Sequence, residues 1–588
     1  MKIKNRYSFF SIILIIISVI WINLNHKLWE NPKSVVKWDV INYYQYLPAT
    51  FYYNDLSLKF IDNDPTLLEW KFWPHKSPIN KYTGKMSMGL SIMYLPFYLI
   101  AEFQSKLTNK PTDGFTPVYA FWLLFSSLFY VSIGFFVLRK ILLNFFEDKI
   151  VALTILLLFF GTNLLYYTTL EAPMSHAYSF SLFALFVFYT IKWYKNNSYR
   201  LSIILGFLIG LISLIRPTNI IICLIFIFYN TYSWTIFYNR ILFLLKNWNK
   251  LVVIVIFSLL VWIPQIVYWK YTTGNYLYFS YQNEGFFFNN PQIIKGLFGY
   301  RKGWFLYTPL MFFAVLNIIF LFKKSKEFFL PILIFTIFNI YIILSWWCWW
   351  YGGTYGQRVF IESYAIYAIP LAVGIFMGLK TNKFTKIITY FLIVFLISHQ
   401  IFQTIQFNYN SIHYDSMTKR AYWDSFLRIR PSSNFAFFIE APDYDNAIID
   451  NNNDNKPEVI KEIPLNIKSY DDRYLSLDKE NGVLFFDVNY KSDSINKFIL
   501  LILSNGKIGL KALNNKYFTA NLDKNNEVIC KFDRMAPWET FSIEKVEKQY
   551  VAIKGINNKF LSINPINGQI YSNRDNLDTN AKFIFYKK

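Results

Sequence analysis

"MSMGLSIMYLPFYLIAEF", residues 86–103, is apolar enough to cross a bilayer, and whether it does so decides how the rest of the chain is threaded. Of the 588 residues around it, 54% are hydrophobic and only 16% charged, far from the balance of a soluble domain. Further apolar runs begin near residues 8, 117, 149, 175, 201, 217, 250, 304, 328, 362 and 386. If residues 86–103 cross, every later loop changes side. If they only lie along the outer interface, the loops left inside are 139–149, 192–200, 239–250, 323–327 and 380–386, and each of them is basic. An excess of Lys and Arg marks the cytoplasmic side, so the second count is favoured. The expectation is a polytopic α-helical membrane protein of 11 spans with its N-terminus inside, residues 25–116 as the first outer loop and 86–103 as a juxtamembrane segment of that loop.

The start of the chain fits this reading. Lys2, Lys4 and Arg6 precede an apolar run from Phe9 to Ile22, and no small-residue cleavage signal follows before "NLNHKLWE", so a retained first span is expected. The formal net charge of +22 is scattered among spans and loops and forms no single basic face, which argues against nucleic acid as a partner. Cys223, Cys348 and Cys530 lie far apart in different contexts and read as packing residues, without a disulfide framework or zinc site. His26, His75, His176, His399 and His413 have no partners at helical metal-ligand spacing. No tightly held metal is expected, and a loosely bound divalent cation is left open. "YTGKMS" (82–87) lacks the leading glycine and the Ser/Thr after Lys85 that a phosphate loop needs, so it is not an ATP site.

The threading brings three outer loops together: 25–116, 273–303 and 348–361, joined by "TTLEAPMSHAY" (168–178) and "RPTN" (216–219). In the first of these, "KWDVINYYQYLPATFYYNDLSL" (37–58) sets one acid, Asp39, beside Trp38, Tyr43 and Tyr44 where the chain leaves the first span. An acid among aromatic rings at the membrane surface is a candidate general base; the plainer alternative is a solvated loop acid. Glu171 and His176 stand at the outer start of a span among apolar neighbours. They are candidates for positioning a substrate, or equally a helix-end acid and an interfacial histidine.

After Phe407 the composition turns polar. Residues 408–458 read as a linker region, ending in "IIDNNNDNKPE" (448–458). Beyond it "NIKSYDDRYLSL" from Asn466, "GLKALNNKYFTA" from Gly509 and "AIKGINNKFLSI" from Ala552 recur at a 43-residue offset. Tyr474, Tyr517 and Phe560 hold equivalent places, as do Phe498 and Phe541, with Phe583 one residue early. Three such units of alternating apolar residues and Asn/Asp/Gly turns predict a closed three-fold all-β domain over 459–588. With "WETFSI" (538–543), the repeats resemble a fascin-like β-trefoil, although the Gln-x-Trp sugar-site signature is absent.

The first outer-loop acid, "NKYTGKMSMGLSIMYLPFYLIAE", "EAPMSHAYSF", "LIRPTN" and "WWYGGTYGQRVFIE" together resemble the GT-C membrane glycosyltransferases, nearest to the protein mannosyltransferase and aminoarabinose transferase type, family 39-like. The resemblance spans roughly residues 1–405, within a transmembrane domain taken as 1–407. It implies an active site at the outer face of a bacterial-type cytoplasmic membrane, a polyprenyl-phosphate-linked sugar as donor, and Asp39 as catalytic base. The acceptor would be a glycan, lipid or protein. Departure of a lipid phosphate calls for fixed cations, and Arg358, Arg216, Arg301 and Lys302 are the candidates. Arg358 ranks first because its neighbouring glycines let backbone approach a ligand. Tyr43 and Tyr44 would line the approach of the sugar. The rival reading is a transporter or flippase, which calls for ionisable residues within spans and a two-half repeat.

Overall fold

The computed structural model describes residues 6–586 apart from 450–458, 479, 489–496, 504–505, 522–525, 533–534, 536, 548 and 556. Lys2, Lys4 and residues 450–458, the end of the expected linker region, therefore lie outside the described residues. The chain divides into two compact units, Met1–Ile439 and Glu440–Lys588.

The first unit is helical, as its long apolar runs dictate: in lipid a backbone can satisfy its own N–H and C=O groups only within a helix or a closed barrel. Among the described residues six helices are long and apolar enough to cross a membrane: Arg6–His26, Pro117–Leu142, Trp248–Thr273, Lys326–Leu344, Arg358–Lys380 and Lys383–Asn408. This corrects the expected count of 11, and the shortfall has local causes. The run from 149 gives only Asp148–Phe160, 13 residues or about 20 Å of helix. The run from 201 stops after 17 residues at Ile215, and Pro217 opens a 3-10 turn, Pro217–Ile222, before the short Cys223–Phe228 helix. The run from 304 breaks into Trp304–Tyr307, Pro309–Leu316 and a 3-10 turn, Asn317–Phe320. Ser175–Lys195 is long enough, but it buries Ser175, His176, Ser179, Ser181 and Thr190 and is less apolar than a lipid-facing span.

Of residues 86–103, those from Gly89 onward belong to the Gly89–Leu107 helix, which is not among the six. Its first glycine is fixed by packing: a Cβ there would come within 2.6 Å of the Ile215 backbone nitrogen. That close approach holds the segment after Gly84 against the turn bearing Arg216. Elsewhere in the first loop a small hairpin forms, Pro74–Lys76 with Tyr82–Gly84, His75 opposite Thr83. Residues 408–439 pack with the helical unit, where Ile412, Met417, Ala421, Tyr422 and Phe435 are buried in its core.

The helices also define two ends. At one, Arg139 Nε donates to Ser8 Oγ at 2.7 Å, the Tyr7 amide donates to Asp148 Oδ2 at 2.8 Å, and Lys380 pairs with Glu147 at 2.6 Å. Glu362 and Lys380 are 18 residues apart along one helical segment, about 27 Å at 1.5 Å per residue. Whatever surrounds Glu362 is thus nearly a hydrocarbon thickness from the basic end.

The second unit is all β. Val459–Ser469 pairs with Phe498–Leu503, which pairs with Ile508–Ala512, then Thr540–Lys545, Val551–Lys554 and Phe583–Tyr586, which returns to Val459–Ser469. Every pairing is antiparallel, and the ring closes into a β-barrel with no open edge among those strands. Phe498, Phe541 and Phe583 fill its interior at 1% exposure each, which is why these positions recur in the sequence. The closed antiparallel barrel corrects the expected fascin-like β-trefoil. A 43-residue repeat records which residues recur inside, but register and edge pairing are set by backbone hydrogen bonds that the repeat does not encode.

Candidate functional site

Asp39 opens a short helix, Asp39–Tyr44, and the chain enters it by a strained route. Trp38 before it has φ +51°, in the left-handed region that a bulky side chain adopts only at a cost of about 1–3 kcal/mol. The turn aims the Asp39 carboxylate at Arg358, 319 residues away, whose Nη2 donates to Asp39 Oδ2 at 2.8 Å. The pair is not sealed: Asp39 keeps 29% of its side chain exposed, against 12% for Arg358. Arg358 sits at the start of the 3-10 turn Arg358–Ser363, which is pinned two residues on by Phe360 stacking on buried Trp304 with ring centroids 4.0 Å apart.

One turn further, Glu362 is buried. Its Oε1 lies 3.1 Å from His176 Nδ1 and 3.7 Å from Arg216 Nη1. Arg216 caps the Tyr199–Ile215 helix. Two acids, two arginines and one histidine thus come from four distant stretches: the first loop, the 171–176 turn, the "RPTN" turn and the 349–362 loop. Three of their buried polar atoms have no hydrogen-bond partner among the described residues: Arg358 Nε, Arg216 Nη1 and Glu362 Oε2. Burying such groups unpaired costs several kcal/mol unless something else meets them.

Tyr43 joins this group. Burial pushes its phenol up, Arg216 opposes the rise, and Asp39 adds to it. Tyr44 does not join; its hydroxyl donates to the Gly114 carbonyl at 2.6 Å and holds the two ends of the first loop together. Glu171 pairs with Lys37 at 2.8 Å, which ties the base of the Asp39 helix to the turn before His176. Arg301 and Lys302 stand apart from the pair. Arg301 Nη1 donates to the Asp415 carbonyl at 3.0 Å, and Lys302 Nζ donates to the carbonyls of Thr354 and Tyr414. Burial pulls the Lys302 ammonium down to about 7, with Asp415 opposing and Arg358 adding to the fall. Both cations thereby brace the 349–358 loop and the 414–415 segment beside it.

The loop itself carries three residues with positive φ, Tyr351, Gly352 and Gly356, so the two glycines serve its path directly. Gln357 Nε2 donates to the Trp349 carbonyl at 2.9 Å across its neck. On the far side of the Asp39 helix, Lys85 pairs with Glu284, and the Lys85 amide donates to Asn42 Oδ1 at 3.1 Å. Trp347 Nε1 donates to the other Glu284 oxygen at 3.2 Å. Glu362, Glu284 and Lys37 were not singled out from the sequence. Glu362 had a usable signal, an acid within an apolar helical run, which is rarely placed there without a partner. Among the described residues no three His, Cys, Asp or Glu side chains gather as a metal-holding group.

No protein-family model matches the chain, and no curated protein matches it. Among solved structures, a chain from a description of the structure and mode of action of a mosquitocidal holotoxin is 16% identical, over 22% of this chain and 18% of that one, with a TM-score of 0.20. The chain therefore spans less than a fifth of the length of that protein. The resemblance to the GT-C family, and to its protein mannosyltransferase and aminoarabinose transferase type, is corrected by these results. It rested on the order of short motifs, and short polar motifs at helix ends recur wherever apolar helices meet water.

Proposed function

We propose that the chain is a membrane enzyme that transfers a sugar from a polyprenyl-phosphate donor to an acceptor hydroxyl, with inversion, at the outer face of a bacterial-type cytoplasmic membrane. The observation that supports this best is a partly exposed carboxylate paired with Arg358, in a group that includes Arg216, each arginine having a buried N–H with no hydrogen-bond partner among the described residues. A phosphate would meet those donors, and arginine suits its geometry. Positive-inside reasoning assigns the end bearing Arg139, Lys149 and Lys380 to the cytoplasm and the Asp39 end to the outside. Nucleotide sugars are scarce there, so the donor must arrive in the lipid.

In the proposed reaction the acceptor oxygen attacks the anomeric carbon on the face opposite the phosphate. Asp39 takes the hydroxyl proton as the new C–O bond forms. The bond from the anomeric carbon to the phosphate oxygen breaks, and its electron pair leaves with the polyprenyl phosphate. Arg358 and Arg216 neutralise the charge that grows there. Arg358 exchanges its hold on Asp39 for the phosphate, which frees the carboxylate for the acceptor. Lys302 and Arg301 keep the Arg358 loop in place. Any loosely bound divalent cation would join the phosphate rather than the protein acids.

Transfer of radiolabelled sugar from a panel of polyprenyl-phosphate sugars, by purified protein in detergent, tests the reading. Label should leave the lipid with the native chain and not with Asp39→Asn. Near-normal transfer by the variant would remove Asp39 as base. The transporter reading has its own support in the buried His176–Glu362–Arg216 group, since ionisable residues at such positions also mark proton and substrate paths. Movement of the lipid between leaflets of vesicles, without transfer from any donor, would favour it.

A further inference from the structure

The Trp234–Lys246 helix, "WTIFYNRILFLLK", presents three different flanks, and among the described residues only one of them has a protein partner. At about 100° per residue, Phe237, Arg240 and Leu244 fall on one side. That side is docked: Phe237 stacks on Phe228 at 5.6 Å, Arg240 lies 3.8 Å over the Tyr194 ring and donates to the Tyr229 carbonyl, and Leu244 is buried. Trp234, Tyr238, Leu242 and Leu245 form a second, apolar flank, and they are 82%, 60%, 46% and 62% exposed. Thr235, Asn239 and Lys246, all exposed, make the third, polar flank. Protein, apolar and aqueous sides in that order are what a helix lying at a membrane surface requires.

Two observations say what covers the apolar flank. It runs on through Asn247 into the Trp248–Thr273 helix, whose exposed Trp248, Val252, Val255 and Leu259 are on one of the six apolar helices long enough to cross a membrane. Both ends of the short helix are also set among cations. Its C-terminal end is tied to the 197–199 turn, where Asn197 Nδ2 donates to Asn247 Oδ1 at 2.7 Å and exposed Lys195 and Arg200 flank the contact. Its N-terminal end meets Lys326, which sits 4.4 Å over the Tyr232 ring.

We propose that Trp234–Lys246 lies in the plane of the membrane on its basic side, with the Trp234, Tyr238, Leu242 and Leu245 stripe in the acyl boundary and Lys195, Arg200 and Lys246 on anionic lipid phosphates. The proposal rests on reading the long apolar helices as spans, and is independent of the sugar chemistry. Tryptophan and tyrosine favour that depth, and an anionic leaflet attracts such a rim.

The full chain, spin-labelled at Leu242→Cys or Asn239→Cys in nanodiscs of phosphatidylcholine and phosphatidylglycerol, tests it. The unsubstituted protein supplies the background from Cys223, Cys348 and Cys530. The label at 242 should collide with oxygen and be shielded from a water-soluble nickel chelate, and the label at 239 should do the reverse. Tyr238→Cys repeats the test should Leu242→Cys fail to fold. Equal nickel access at 238, 242 and 239 would overturn the proposal by placing the stripe in water. Dipolar broadening at 242 that vanishes on dilution with unlabelled protein would overturn it in favour of a second copy. Energy transfer from a dye at 242 to headgroup-labelled phosphatidylglycerol should exceed that to phosphatidylcholine and lose the excess in high salt; equal transfer would refute the anionic contact.

Discussion

A double-mutant cycle on Asp39 and Arg358 probes the arrangement on which the proposed chemistry depends. Opposite charges about 4 Å apart attract by about 4 kcal/mol at an effective dielectric near 20. The N···O distance is 2.8 Å, and 29% of the Asp39 side chain is open to solvent, which screens part of that attraction. A coupling of about 1–3 kcal/mol is expected, the range of a charge-assisted hydrogen bond. Asp39→Asn leaves buried Arg358 without its counter-charge, and Arg358→Gln leaves the acid alone. The double variant removes both charges and should be less destabilised than the sum of the singles. Tryptophan fluorescence during dodecyl sulfate titration of the four proteins in mixed micelles gives the energies. Additivity within about 0.5 kcal/mol would mean that the pair does not form, and the geometry of the proposed site would fall with it. In the same four proteins, Asp39→Asn should lower transfer by about 10²–10⁴-fold with donor binding retained, the usual weight of a general base. Arg358→Gln should weaken donor binding as well as turnover.

Lys302 gives a pH signature. Its ammonium falls from 10.5 to about 7 on burial, so between those values the unfolded chain binds a proton that the folded chain does not. Stability should therefore rise with pH across that window and be flat for this group below about 7, and Lys302→Met should remove the slope, read as unfolding midpoint against pH. Gly356→Ala should cost about 1–2 kcal/mol, because its φ is +60° and the new Cβ would stand 3.3 Å from Tyr307 Cβ. The displaced loop should weaken donor binding in the same variant, whereas Gly352→Ala, with open space at its Cβ, should show the backbone cost alone. In the barrel, Phe541→Ala should cost about 3–5 kcal/mol and expose residues 440–588 of the full chain to limited proteolysis; unchanged cleavage would show that the ring is not the core of that unit.

Much of the helical unit is legible in the sequence because the bilayer asks for one simple thing, an unbroken apolar run. Where the run is unbroken and its charges keep to one end, as at Pro117–Leu142 or Lys383–Asn408, sequence and structure coincide. Where they part, a residue with local authority intervenes. Pro217 and Pro309 end helices that hydropathy alone would continue, since proline has no N–H to give and its ring crowds the preceding turn. Buried serines and His176 turn Ser175–Lys195 into an interior helix, because a helix surrounded by others need not be apolar all round. The β unit is legible in composition and spacing. Its alternating residues and repeated Phe498, Phe541 and Phe583 announce strands around a common core, while the ring that closes them depends on pairing between Val459–Ser469 and Phe583–Tyr586 at the two ends of the repeat.

The site is legible in a different way. Asp39, Arg216, His176 and Arg358 stand out singly, each as a polar residue at the edge of an apolar run, and the structure brings these four into one group. What the sequence conceals is which of them touch. Asp39 pairs with Arg358 across 319 positions, while Tyr43 and Tyr44, adjacent in the chain, point to different tasks because consecutive helical residues lie about 100° apart. Arg301 and Lys302 conceal their partners for a related reason: a loop cation can place its charge on carbonyls of a neighbouring loop, and these two do. Glu362 is the converse case. Its apolar neighbours mark it only as an acid in need of a partner, and its burial beside His176 and Arg216 makes it the acid whose loss leaves Arg216 without a counter-charge. Partners, rather than residue types, distinguish these cations. Among the described residues Arg216 and Arg358 retain buried N–H groups without hydrogen-bond acceptors and Lys302 does not, which is why the proposed reaction assigns the phosphate to the two arginines.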